Sequence, residues 1–209
     1  MPVLAYCVIE CEFAGAGRLR GVRECPVRGV CVGGVQCLFS ELTLDSPAAP
    51  DGLAFHKLIH TIFSERVVIP FRFPSLFDSE NALRAFMADR AGQFAAALRQ
   101  FSTLVQFEVR IRNVAPDLTP RSGADYLRSR AQQHAELKAI AESVRQRTAD
   151  LIQDWRTVDE SAGMRCYGLV GRGSWQEFQS RAQSIPLPNN VTVRITGPWP
   201  PSQFIEIDK

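Results

Sequence analysis

The sequence predicts an α+β protein of two domains. Three observations carry that expectation: apolar or period-2 segments alternate with amphipathic helical ones, two strands meet at Gly33-Gly34 in a hairpin, and the proline-bearing stretch NVAPDLTPRSG divides the chain. The predicted domains are 1–116 and 117–209, with mostly antiparallel sheets, helices on one face of each sheet, and a long helix opening the second domain.

Each element has its own signature. VLAYCVIE, Val3 to Glu10, is a nearly continuous apolar run and suits a strand buried on both faces. VRGVCVGGVQCLFSELTL reads as two strands around Gly33-Gly34, because glycine accepts the positive φ of a tight turn. In LAFHKLIHTIF, Phe55, Leu58, Ile59 and Ile62 form a helical stripe. Val67 to Ile69 start a strand, and Pro70 and Pro74, which lack an N–H, send the chain beyond Ile69 to a sheet edge or a loop. Asp78 and Ser79 supply acceptors for a helix start, and Leu83, Phe86, Met87, Phe94, Leu98 and Phe101 continue it at helical spacing, with Gly92 as a point of weakness.

Val105, Phe107, Val109 and Ile111 alternate with Gln106, Glu108, Arg110 and Arg112, the period of a strand with one buried and one wet face. This strand is expected to close the first domain. A helical pattern from about Ala124 to Trp155 would extend ~45 Å if unbroken. MRCYGLVG reads as a strand, SWQEFQSRAQS as a short helix, and NVTVRIT as a strand.

Composition excludes several classes. Hydrophobic residues at 45% and charged residues at 22% are those of a globular chain, neither disordered nor membrane-embedded. A net charge of +2 gives no basis for holding nucleic acid or an anionic membrane. MPVLAYCVIECEF lacks a basic region ahead of its apolar run, so it is not read as a secretory signal, and a cytoplasmic protein is expected.

No reactive constellation emerges. GAGRLRG comes after a strand, but its third glycine is one place late for a dinucleotide loop, and a plain turn explains it. His56 and His60 have the spacing of a zinc-binding helix, yet Lys57 stands where a metalloprotease needs its glutamate, and the remaining histidine is His134. Five of the six cysteines fall within the first 37 residues without C-x2-C spacing, and all six, Cys7, Cys11, Cys25, Cys31, Cys37 and Cys166, are read as core. Asp150 with Asp154 and Glu136 with Glu142 are read as a solvated helix face. No enzyme, metal or cofactor is expected.

Three stretches carry a resemblance. VVIPFRFPSLFDSENALRAFM resembles a signature of the gas vesicle protein L and F family, with Pro74-Ser75 where that family usually has Gly-Thr. GADYLRSR resembles its G-x-x-Y-L-x-x-R helix opening, and VTVRITGPWPPSQFIE its closing strand and G-P-W-P-P tail. The resemblance implies two α+β domains with ferredoxin-like motifs. It also implies a non-enzymatic accessory role in early gas vesicle assembly, with the small hydrophobic shell protein and other accessory proteins as partners. Pro70, Phe71, Arg72 and Phe73, and Trp199 with Phe204, are the interaction candidates, since rigid aromatics present contact area at low entropic cost. The competing reading makes both groups core closures. A ferredoxin-like regulatory or ligand-binding module unconnected with gas vesicles is the alternative function.

Overall fold

The computed structural model describes all residues except 12, 14, 44–45, 115–121, 161–162 and 208–209. The described chain forms two compact units, Met1–Thr103 with Pro200–Lys209, and Leu104–Trp199.

Unit 1 is built on a four-stranded antiparallel sheet with the order β2-β3-β1-β4. Its strands are β1 (Val3–Glu10), β2 (Arg28–Val32), β3 (Val35–Glu41) and β4 (Ile69–Phe77), and its helices are α1 (Ala49–Glu65) and α2 (Glu80–Gln100). Every residue of β1 from Val3 to Ile9 is buried. Successive strand residues point to opposite faces, so both faces of β1 are covered. On one side, Phe55 of α1 meets Tyr6 and Phe73, with ring centroids at 5.4 and 5.2 Å. On the other, Phe86 of α2 lies 6.0 Å from Phe71 and 5.2 Å from Phe77. Helix α2 runs unbroken through Gly92. Gly33 and Gly34 form the β2–β3 turn at φ +57 and +85, and a Cβ on Gly33 would sit 2.6 Å from that of Ala91 in α2.

Unit 2 contains β5 (Leu104–Asn113), α3 (Gly123–Arg147), β6 (Ile152–Glu160), β7 (Gly163–Gly171), α4 (Trp175–Gln183) and β8 (Val191–Trp199). The βαββαβ chain order with the sheet order β6-β7-β5-β8 is the ferredoxin-like arrangement. Unit 1 keeps the equivalent sheet order, but two 3-10 turns, Ala16–Arg18 and Val22–Glu24, replace its first crossover helix. In unit 2, α3 packs on β5 and β7, and α4 on β7 and β8. Phe178 of α4 packs against Phe107 in a tilted arrangement with ring centroids at 5.0 Å, and Gly168 leaves room for both Phe178 and Trp155. The other face carries Glu108, paired with Arg110 at 2.7 Å and Arg165 at 3.5 Å.

The α+β class, the antiparallel sheets and the ferredoxin-like motif are as expected. Three expectations are corrected. Helices are expected on one face of each sheet, but in unit 1 α1 and α2 cover opposite faces, because β1 is apolar on both. Leu104–Asn113 does not close the first domain; it is central in the second sheet, paired with β7 and β8, so the units divide at Thr103 rather than 116/117. Most of the stretch expected to hold that boundary, 115–121, lies outside the described residues. The long helix ends at Arg147, and its supposed last turns are the edge strand β6. An edge strand wet on both sides lacks a period-2 hydrophobic signature, and Leu151 and Trp155 happen to fall four residues apart.

Candidate interaction surfaces

The first candidate group sits on β4, an edge strand as its prolines require. Pairing with β1 jumps from Ser75↔Ala5 to Pro70↔Cys7, so residues 71–74 bulge out of the ladder. The Phe73–Pro74 bond in that bulge is cis. The bulge turns Phe71 and Phe73 to opposite faces. Phe71 joins Phe77, Phe86 and Phe94, with centroids 6.0 to 6.3 Å away, while Phe73 joins Phe55. Both rings and Pro70 are half-buried, whereas Arg72, Pro74 and Leu76 are exposed. The structure therefore splits PFRF into two packing aromatics and one surface guanidinium.

The second group closes the chain. In β8, register with β5 shifts between Gln106↔Trp199 and Glu108↔Thr196, around a cis Gly197–Pro198 bond. Gly197 has φ +144, and a Cβ there would lie 2.8 Å from the Phe107 ring and 2.9 Å from the Gln106 carbonyl, so only glycine fits. Trp199 is 40% exposed, and its indole N–H donates to Thr196 Oγ1 at 3.3 Å. Phe204 is 6% exposed and belongs to unit 1. The structure leaves Arg72 and Trp199 at the surface of their units and buries Phe204.

Cys7, Cys37 and Cys166 are buried, and burial pushes their thiols up, that of Cys166 to about 11. Cys11 and Cys25 are half-buried, and Cys31 is exposed, which corrects the reading of all six as core. Such raised thiols are poor nucleophiles. His56 and His60 are exposed on α1, and no group of three metal-ligating side chains occurs among the described residues. Asp150 does not share a helix with Asp154: it pairs with Arg181 at 2.7 Å, while Asp154 lies on β6.

These features define a class: a protein of two ferredoxin-like α+β units whose sequence-marked residues, Phe204 apart, lie on proline-bulged edge strands. The gas vesicle synthesis protein GvpL/GvpF family model matches residues 2–125 and 121–206, and the chain belongs to that family of gas vesicle accessory proteins. It is 25% identical over 144 residues to gas vesicle protein F1 of Halobacterium salinarum, a match spanning 68% of this chain and 62% of that protein's length. The crystal structure of gas vesicle protein GvpF from Anabaena superposes with TM-score 0.82 at 13% identity, covering 100% of this chain and 97% of that one. That of GvpF from Microcystis aeruginosa gives 0.79 at 13% identity, covering 98% and 99%. At such identity the two structures show the shared fold. No helix among the described residues is long and apolar enough to cross a membrane.

Proposed function

We propose that this protein acts without catalysis in early gas vesicle assembly, in the cytoplasm and at the forming vesicle, by holding the small hydrophobic shell protein and other accessory proteins. The observation that carries this reading is the family match, which extends across both units. Physical sense supports it, because an apolar shell subunit awaiting assembly needs its exposed surface covered. Pro70, Pro74 and Pro198 deny β4 and β8 a complete hydrogen-bonding edge. A partner on these surfaces is therefore held by side chains: Arg72 and Leu76 on β4, and Trp199 beyond the β8 bulge.

The test is co-expression with the shell protein, then affinity capture. Capture of the shell protein by the wild type is expected, and Trp199→Ala is expected to weaken it about tenfold or more while the circular dichroism spectrum is retained. Failure of the wild type to retain any gas vesicle protein would remove the reading. Retention unchanged by Trp199→Ala and Arg72→Ala together would move the contact elsewhere.

A further inference from the structure

Four strands form the sheet edges, β2 and β4 in unit 1 and β6 and β8 in unit 2. Three are poor templates for another strand: β2 has five residues, and β4 and β8 carry prolines at their bulges. Strand β6 has nine residues and no proline. Its own bulge lies at one end, between Ile152 and Asp154. There the Trp155 amide donates to the Asp154 carboxylate at 2.7 Å, which marks that amide as pointing away from β7. Backbone direction alternates along a ladder, so the amides and carbonyls of Thr157 and Asp159 point the same way. Both residues are exposed.

Beside this edge lies a trough of about 750 Å³. Because α3 covers β5 and β7, the helix-side face of β6 stays open. Trp155, Ile152, Met164 and Ala141 supply an apolar lining. Most charges along it are already engaged. Glu142 is held down to about 2 by the Arg145 guanidinium and the Gln146 amide, and Asp154 faces Arg156 at 3.7 Å. Lys138, exposed at the trough wall, forms no ion pair among the described residues.

We propose that β6 is a strand-addition site, receiving an extended segment of another protein that has aliphatic side chains at alternate positions and a carboxylate to meet Lys138. The free amides and carbonyls at Thr157 and Asp159 bind its backbone. Its inward side chains enter the trough against Trp155 and Met164, and the lone ammonium selects an acidic residue among them. The helix layer stops short of the edge strand, so an added strand gains both a hydrogen-bonded side and an apolar wall. This surface is distinct from β4 and the closing tail, and the inference holds whichever protein those engage.

The test is selection of a random nine-residue peptide library on the intact protein, then binding of the enriched peptides to wild type, Thr157→Pro and Lys138→Glu. Thr157→Pro removes one outward N–H; Lys138→Glu reverses a surface charge and leaves the fold intact whatever the proline does. Enriched peptides are expected to alternate aliphatic residues and to carry an acid. They should bind both variants at least tenfold more weakly and slow amide exchange at Thr157 and Asp159 in the wild type. No enrichment, equal binding to Lys138→Glu, or unchanged exchange at those amides would overturn the proposal. So would a dimer of the free protein that Thr157→Pro abolishes, since the occupant would then be a second copy.

Discussion

Tyr6 sits at a bulge in β1, between Ala5↔Phe39 and Cys7↔Leu38, and its hydroxyl organises a buried chain of hydrogen bonds. The Val22 amide donates to it at 3.0 Å, it donates to Ser40 Oγ at 3.0 Å, and Ser40 Oγ donates to the Pro26 carbonyl at 2.9 Å. This chain fixes the turns that stand in for the missing crossover helix. A Cβ on Gly21 would fall 2.1 Å from the Tyr6 hydroxyl, so the turn has no room for a larger residue. Tyr6→Phe strands the Val22 amide, and a loss of about 1–3 kcal/mol is expected in urea denaturation. The same turn places Arg23, at φ 53, against Asp51 at 3.1 Å. Hydrogen bonds from the Arg23 guanidinium and the Ala48 amide hold the Asp51 carboxyl below its usual range. A depressed folded value means stability that is present above the ordinary aspartate pKa, near 3.9, and lost as the pH falls through the lower folded value. The urea midpoints of wild type and Asp51→Asn should therefore differ at pH 6 and converge as the pH is taken below about 4. A difference that stays constant would show that the ion pair carries none of it.

At the scale of elements, legibility tracks burial. β1 was readable because both its faces are covered, and β5 because one is, so each printed its pattern on the sequence. β6 was not readable, because its outward side faces water and one wall of its inner side is missing. α3 illustrates the same rule within one helix. Its buried residues are Leu137, Ile140, Ala141 and Val144, all in its second half, while Tyr126 and Leu127 are 48% and 68% exposed. The first half is held by the Ser122 cap, whose Oγ accepts from the Asp125 amide at 3.2 Å, and by i,i+3 and i,i+4 bonds. A helix without tertiary packing is marginal over so few turns. Amide exchange is expected to be at least tenfold slower from Leu137 to Val144 than from Tyr126 to Gln133. Equal protection would mean that the first half is covered in solution.

At the scale of the whole chain, the tail beyond Trp199 rejoins unit 1, although the strand before it belongs to unit 2. The sequence marks GPWPPSQF as one feature, but its two aromatics differ in burial. Trp199 presents a half-exposed indole on the strand side of Pro200, and Phe204 is core on the other. Trp199 lies between two prolines and Phe204 between Gln203 and Ile205, and neither setting specifies burial; the packing of distant segments decides. Likewise, PFRF named the right strand but not that a bulge would turn its two phenylalanines to opposite faces. The division yields a test, because Trp155, Trp175 and Trp199 all lie in unit 2 and unit 1 has no tryptophan. Phe204→Ala removes a buried ring and should cost unit 1 about 3–5 kcal/mol. β1 amides should then exchange faster, while the denaturation midpoint read by tryptophan fluorescence stays in place. A fluorescence midpoint that falls by the same amount would instead make the two units one cooperative body, and Phe204 a determinant of both.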